Sequence, residues 1–90
     1  KLAAIMFTDI VGYSALMSKD EDEAMRILQN NRTILKTAIE EHHGEFVKEI
    51  GDGTLSIFQS SLDAASCAVE IRVDLRTPES ASTKVNSLIG

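Results

Sequence analysis

Residues Phe7-Thr8-Asp9-Ile10-Val11-Gly12-Tyr13-Ser14 decide how the rest of the chain folds. The residues leading into them, Leu2-Ala3-Ala4-Ile5-Met6-Phe7, form a short unbroken apolar run, which suits a buried central strand better than a surface helix. Such a strand delivers Asp9 to its end, and Gly12 then lets the backbone approach a ligand closely as a helix begins. The first amides of that helix, from Val11 to Ser14, lack intrahelical partners and face the place where Asp9 stands. A carboxylate that holds a cation, beside amides that receive phosphate oxygens, is the combination a nucleoside triphosphate requires.

A second carboxylate comes from the next apolar segment. Glu45-Phe46-Val47-Lys48-Glu49-Ile50 alternates apolar and charged residues at period two, Gly51-Asp52-Gly53 turns tightly, and Thr54-Leu55-Ser56-Ile57-Phe58 alternates again. This is a hairpin with Asp52 at its tip. Joined to the first strand through a long helix, it makes a split βαβ unit in which strands one and two run parallel with the third between them. Asp9 and Asp52 then meet at one sheet edge, where two carboxylates can hold one or two Mg²⁺ ions, roughly 3.5–4 Å apart in two-metal sites. Each residue also has a local reading: Asp9 as a helix cap and Asp52 as a turn former. The joint placement beside two glycines favours the metal reading.

Between these segments, Tyr13 to Met17 reads as a short helix interrupted by Ser18-Lys19-Asp20. Asp20 with Glu23 forms a capping-box pattern that starts the next helix near Glu21. Its inner stripe is Ala24, Met25, Leu28, Arg32, Leu35, Ala38, Ile39 and His42, widened by Ile27 and Ile34, with Arg26, Asn30, Lys36 and Glu40 on the polar side. Gly44 is expected to be its left-handed stop. Ser60 or Ser61 caps a third helix whose inner side runs through Ala64, Ala65, Cys67, Ala68, Val69, Ile71 and Leu75. Residues 77–90 read as a polar loop or linker, with Lys84 to Ile89 the one stretch there that suits a strand. His42 and His43, at a helix end and without spaced Cys or His partners, read as dipole-compensating residues, and Tyr13 and Phe7 as packing residues.

Composition narrows the function classes. The formal charge of −5 and the scatter of the nine Lys and Arg argue against a nucleic-acid partner. No apolar run approaches membrane-spanning length and no signal peptide is visible, so direct membrane contact is not expected. The single cysteine, Cys67, reads as a small buried hydrophobe in a reducing, cytoplasmic setting. At 90 residues the chain is at most one small domain with limited burial, so a partner is expected.

The two motifs together, Phe7 to Ser14 and Val47-Lys48-Glu49-Ile50-Gly51-Asp52-Gly53, resemble the class III adenylyl/guanylyl cyclase catalytic domain in its bacterial form, from about Leu2 to Arg72. The resemblance implies an α+β, ferredoxin-like βα(α)ββα cyclase fold, a mostly antiparallel sheet packed by helices and incomplete at the C-terminus, with residues 1–76 as the N-terminal part of the domain. It implies that Asp9 and Asp52, with the backbone carbonyl of Ile10, carry two Mg²⁺ or Mn²⁺ ions. It also implies that Val11, Gly12, Tyr13 and Ser14 hold the β- and γ-phosphates and that Ile50 and Gly51 line the nucleotide. Four residues before the second aspartate the family reads the purine, with lysine in adenylyl and glutamate in guanylyl cyclases; Lys48 stands there and favours ATP. A homodimer with active sites at its interface is implied too. The family's second purine-reading residue and its transition-state Asn and Arg have no match after Arg72, so the chain is either a fragment of a longer domain or one whose second half has been replaced. The competing readings are a non-catalytic nucleotide-binding or dimerisation module derived from such a domain, and a guanylate cyclase. A GGDEF-type diguanylate cyclase shares the broad topology, but its signature turn is not in the sequence.

Overall fold

The computed structural model describes residues 3–74 and 83–89. Seven elements follow in order: β1 (Ala4–Ile10), α1 (Tyr13–Lys19), α2 (Glu21–Glu41), β2 (Glu45–Ile50), β3 (Gly53–Phe58), α3 (Ser61–Asp74) and β4 (Thr83–Ile89). The strands form one sheet in the order β2-β3-β1-β4. Each neighbouring pair is antiparallel, so β1 and β2 run parallel with β3 between them, as the split βαβ reading requires. The stretch expected as a strand over 84–89 is one residue longer and pairs along β1 from Ile10↔Thr83 to Ala4↔Ile89, which completes the four-stranded ferredoxin-like sheet. The rest of the expected linker, residues 77–82 and 90, and Leu75 of the expected third helix lie outside the described residues.

Alternation along β1 separates the two faces of the sheet. Ala4, Met6, Thr8 and Ile10 are buried under α2 and α3, whereas Ile5, Phe7 and Asp9 point to a face that no helix covers among the described residues. On the covered face the core gathers Ala4, Met6, Phe58, Leu35, Ala38, Ile39, Ala64, Cys67 and Ile71. Burying one large side chain such as Leu35 or Phe58 stabilises the fold by roughly 1.5–3 kcal/mol, and the small Ala64 and Cys67 let α3 lie close to the strands.

Helix α2 starts as its capping pattern predicts, with the Asp20 carboxylate accepting from the Glu23 amide at 3.1 Å. Three sequence expectations need correction. Met25 is 41% and Val69 64% exposed, so these positions on α2 and α3 leave the inner stripe, as does the exposed Ala65. The left-handed stop after α2 is His43, with φ 63°, and not Gly44. Gly44 is required for packing instead, because a Cβ there would overlap the Phe58 ring. Finally, β2 does not alternate throughout. Its register passes from Phe46↔Ser56 to Lys48↔Leu55, which leaves Val47 as a bulge.

Candidate active site

The site is built where β1 ends and the β2–β3 hairpin turns. Asp9 lies on the uncovered face of β1 and is exposed, one residue before the strand stops at Ile10. The chain then turns through Gly12, whose φ of 81° an L side chain adopts only at a cost, and enters α1 with no side-chain cap on its first amides. Val11, Gly12 and Ser14 are exposed, and the Tyr13 hydroxyl donates to Met25 Sδ at 3.7 Å on the surface.

Asp52 approaches from the hairpin. Only Gly51 of the two turn residues has positive φ, 61°, the pattern of a type II′ turn that matches the twist of the flanking strands. The neighbouring Gly53 presses against β1, since a Cβ there would run into the Thr8 carbonyl oxygen. That close approach carries the turn to the end of β1, where Asp52 Oδ2 accepts from the Ile10 amide at 3.2 Å. One carboxylate oxygen is therefore engaged by the residue next to Asp9. The sequence-level juxtaposition of Asp9 and Asp52 is realised, and among the described residues neither enters a salt bridge.

Two supports beneath this corner were not apparent from motif reading. The Thr8 and Thr54 hydroxyls meet at 2.5 Å, both buried, and join β1 to β3 directly below the turn. The second support is Arg32, on the inner stripe of α2. It lies buried, and one of its terminal nitrogens donates to the Gly53 carbonyl at 3.1 Å and to the Gly51 carbonyl at 3.4 Å, on either side of Asp52. A charged residue at the centre of an apolar stripe was the available signal, because such a charge needs buried acceptors.

Lys48 stands apart from the carboxylates. Pairing places Lys48, Leu55 and Phe7 in one row across β2, β3 and β1 on the uncovered face, the face that also carries Asp9. The bulge at Val47 is responsible: Phe46 packs inward against the core, and with strict alternation Lys48 would have followed it inward. Ile50, at the end of β2, is 49% exposed.

Chemically, the corner offers two carboxylates and an uncapped helix start, with the Lys48 ammonium farther along the uncovered face of the sheet. Hard oxygen donors of this kind suit Mg²⁺ or Mn²⁺, and two carboxylates with the remaining positions filled by water and phosphate oxygens is a common way to hold such an ion with a nucleotide.

Comparison with known proteins agrees with this geometry. The family model described as the adenylate and guanylate cyclase catalytic domain matches residues 1–87. A curated relative, "Putative adenylate cyclase 3" of Rhizobium meliloti (strain 1021), is 37% identical over 73 residues, which are 80% of this chain and 12% of that protein. Among solved structures, an adenylate/guanylate cyclase/hydrolase from Silicibacter pomeroyi is 32% identical with a TM-score of 0.82, covering 100% of this chain and 57% of its own. A bacterial light-regulated adenylyl cyclase superposes with a TM-score of 0.89 at 22% identity, over 99% of this chain and 53% of that one. A guanylate cyclase domain from Catenaria anguillulae in complex with GTP gives 0.88 at 17% identity, over 100% and 57%. The chain thus spans little more than half of these structures and about an eighth of the curated relative. With the family model matched over residues 1–87 of the 90, the chain belongs to the adenylate and guanylate cyclase catalytic domain family.

Proposed function

We propose that this chain is the metal- and phosphate-binding half of an adenylate cyclase, a lyase that converts ATP to 3′,5′-cyclic AMP and pyrophosphate in cyclic-nucleotide signalling. The observation that carries the reading is the Asp52 carboxylate seated on the amide next to Asp9, which brings two acidic side chains to the mouth of a glycine turn. In the reaction the 3′-oxygen forms a bond to the α-phosphorus, the bond from that phosphorus to the β-phosphate bridging oxygen breaks, and the 3′-hydroxyl proton passes to solvent. Divalent ions supply, when bound, acidification of the 3′-hydroxyl and neutralisation of the triphosphate charge. Asp9 and Asp52, with the Ile10 carbonyl, are the oxygens that would hold them. The amides of Val11 to Ser14 receive the terminal phosphates, and the Ile50–Gly51 backbone lies along the nucleotide. Lys48 donates to adenine N1, an acceptor, whereas guanine presents a donor at that atom, so an ammonium favours ATP. The remaining groups of the site belong to a second copy of the domain and to the part of the domain beyond this chain. A homodimer in the cytoplasm is the setting this requires.

Calorimetry of Mn²⁺·ATP with the 90-residue chain tests the carboxylates. Asp9→Ala or Asp52→Ala should abolish binding, because the remaining carboxylate then repels phosphate with no ion between them. Unchanged affinity in both variants, with the far-UV circular dichroism intact, overturns the assignment. Base choice is tested in a parent protein that contains the whole domain. Lys48→Glu should lower the ATP to GTP ratio of kcat/KM, and a ratio that does not move returns Lys48 to the status of a solvated strand residue. The chain alone should not turn over ATP, since it carries no counterpart of the family's transition-state donors, each of which is commonly worth about 10²–10³ in rate.

A further inference from the structure

Arg32 is the least expected residue of the core. Its side chain is 9% exposed, midway along the inner stripe of α2, where an aliphatic residue would satisfy packing at no electrostatic cost. Its charge is met by Glu49 alone among the described residues. That pairing is loose: Nε stands 3.3 Å from Glu49 Oε1 without hydrogen-bond geometry, and the glutamate side chain is 50% exposed. The other partners are neutral acceptors, namely Asn31 Oδ1 at 3.0 Å and the carbonyls of Gly51 and Gly53. The planar fork of a guanidinium is suited to this, because it presents several donors in fixed directions. Two of the three neutral acceptors are the main-chain groups that flank Asp52.

We propose that Arg32 is a positioning residue that fixes the Gly51-Asp52-Gly53 turn from below, so that Asp52 spends Oδ2 on the Ile10 amide and presents Oδ1 to a divalent cation. This rests on the reading of Asp52 as a metal ligand. The turn has three points of attachment: the Arg32 nitrogen on its two carbonyls, the Gly53 backbone against Thr8, and the Asp52 carboxylate on Ile10. The first is made by a side chain buried beneath the turn. Removing it leaves the turn with two attachments instead of three and with both carbonyls that flank Asp52 unheld, so the carboxylate between them is the group whose placement suffers most. Partners that orient metal ligands in this way commonly contribute about 10- to 100-fold in metal affinity.

The test uses the 90-residue chain with two readouts: Mn²⁺ alone titrated by electron paramagnetic resonance, and metal-free hydrogen exchange of the Ile10 amide relative to the other β1 amides by NMR. Arg32→Met should weaken Mn²⁺ binding about 10- to 100-fold and selectively lose Ile10 protection. Arg32→Lys keeps the charge but lacks the fork, so it should retain the fold and give an intermediate loss in both readouts; it decides the matter if Arg32→Met does not fold. Glu49→Gln, which leaves the carbonyl contacts in place, should change neither by more than about twofold. Wild-type Ile10 protection and Mn²⁺ affinity in a folded Arg32→Met or Arg32→Lys protein overturn the proposal. Asp52→Asn separates the two readings. If it leaves Mn²⁺ affinity unchanged, the metal assignment fails, and Ile10 exchange in the Arg32 variants still decides whether Arg32 places Asp52.

Discussion

Asp9 is carried by a strand with neighbours on both sides, whereas Asp52 rides on a two-residue turn at the end of a hairpin whose outer strand is at the sheet edge. The first is placed by main-chain ladders, which any sequence of suitable alternation would form. The second is placed by identities: two glycines, a buried arginine and the Ile10 amide. Two carboxylates of one site can therefore differ sharply in how much sequence their placement demands. Substitutions near Asp9 should act through local conformation, and those near Asp52 through packing and buried polar partners.

The largest effect is expected at the seam between the two regions. Gly53→Ala forces a methyl group against the Thr8 carbonyl and should cost about 3 kcal/mol in urea denaturation. A variant as stable as the parent would mean that the turn is not held tightly against β1, and the contrast would collapse. Next come the buried hydroxyls at the same seam. Thr8→Val leaves the Thr54 hydroxyl without its partner and should cost about 1–3 kcal/mol, while the Thr8→Val/Thr54→Val pair should recover most of that loss. A double variant worse than the single ones would show that the hydroxyls serve something other than each other.

The smallest expected effect is at the β1–α1 turn. Gly12→Ala meets open space, so only the positive φ is penalised, at about 1 kcal/mol, and the change should stay local. Cys67 supplies the measurement. It is fully buried, and desolvation, with a smaller contribution from the Glu70 carboxylate, pushes its thiol up to about 12. Near neutral pH its alkylation requires the core to open, since the thiolate is the reacting form. Labelling should accelerate in Gly53→Ala and stay near the parent rate in Gly12→Ala; equal acceleration in both would erase the distinction between the regions. With the folded thiol held in its neutral form, Cys67 also contributes stability that is complete below its ordinary value near 9 and is lost as pH rises toward about 12.

Much of this was readable from the residues because the signals were local. An apolar run ending in an aspartate, a glycine-flanked aspartate between alternating segments and an Asp20–Glu23 cap each specify structure within a few positions. What escaped depends on contacts distant in sequence. Arg32 acts on carbonyls 19 and 21 residues away, and Thr8 meets a hydroxyl 46 residues away, separations over which residue spacing carries no information. Glycine usually marks a helix stop, but at Gly44 it is the ring of Phe58 that forbids a side chain. The bulge was hidden because Val47 fits the alternation as a letter while its partner strand offers it no opposite residue.

That bulge also bears on how the molecule meets others. β2 is an edge strand, and a long regular edge is a template on which any extended chain can add itself. The extra residue at Val47 breaks the spacing of the free amides and carbonyls, and Glu45, Lys48 and Glu49 put three charges within a six-residue strand. A second molecule that tried to continue the sheet there would find neither matching hydrogen-bond spacing nor an uncharged border. Along this side the domain resists growth into β-linked aggregates, and a copy or partner is not expected to continue the sheet at β2.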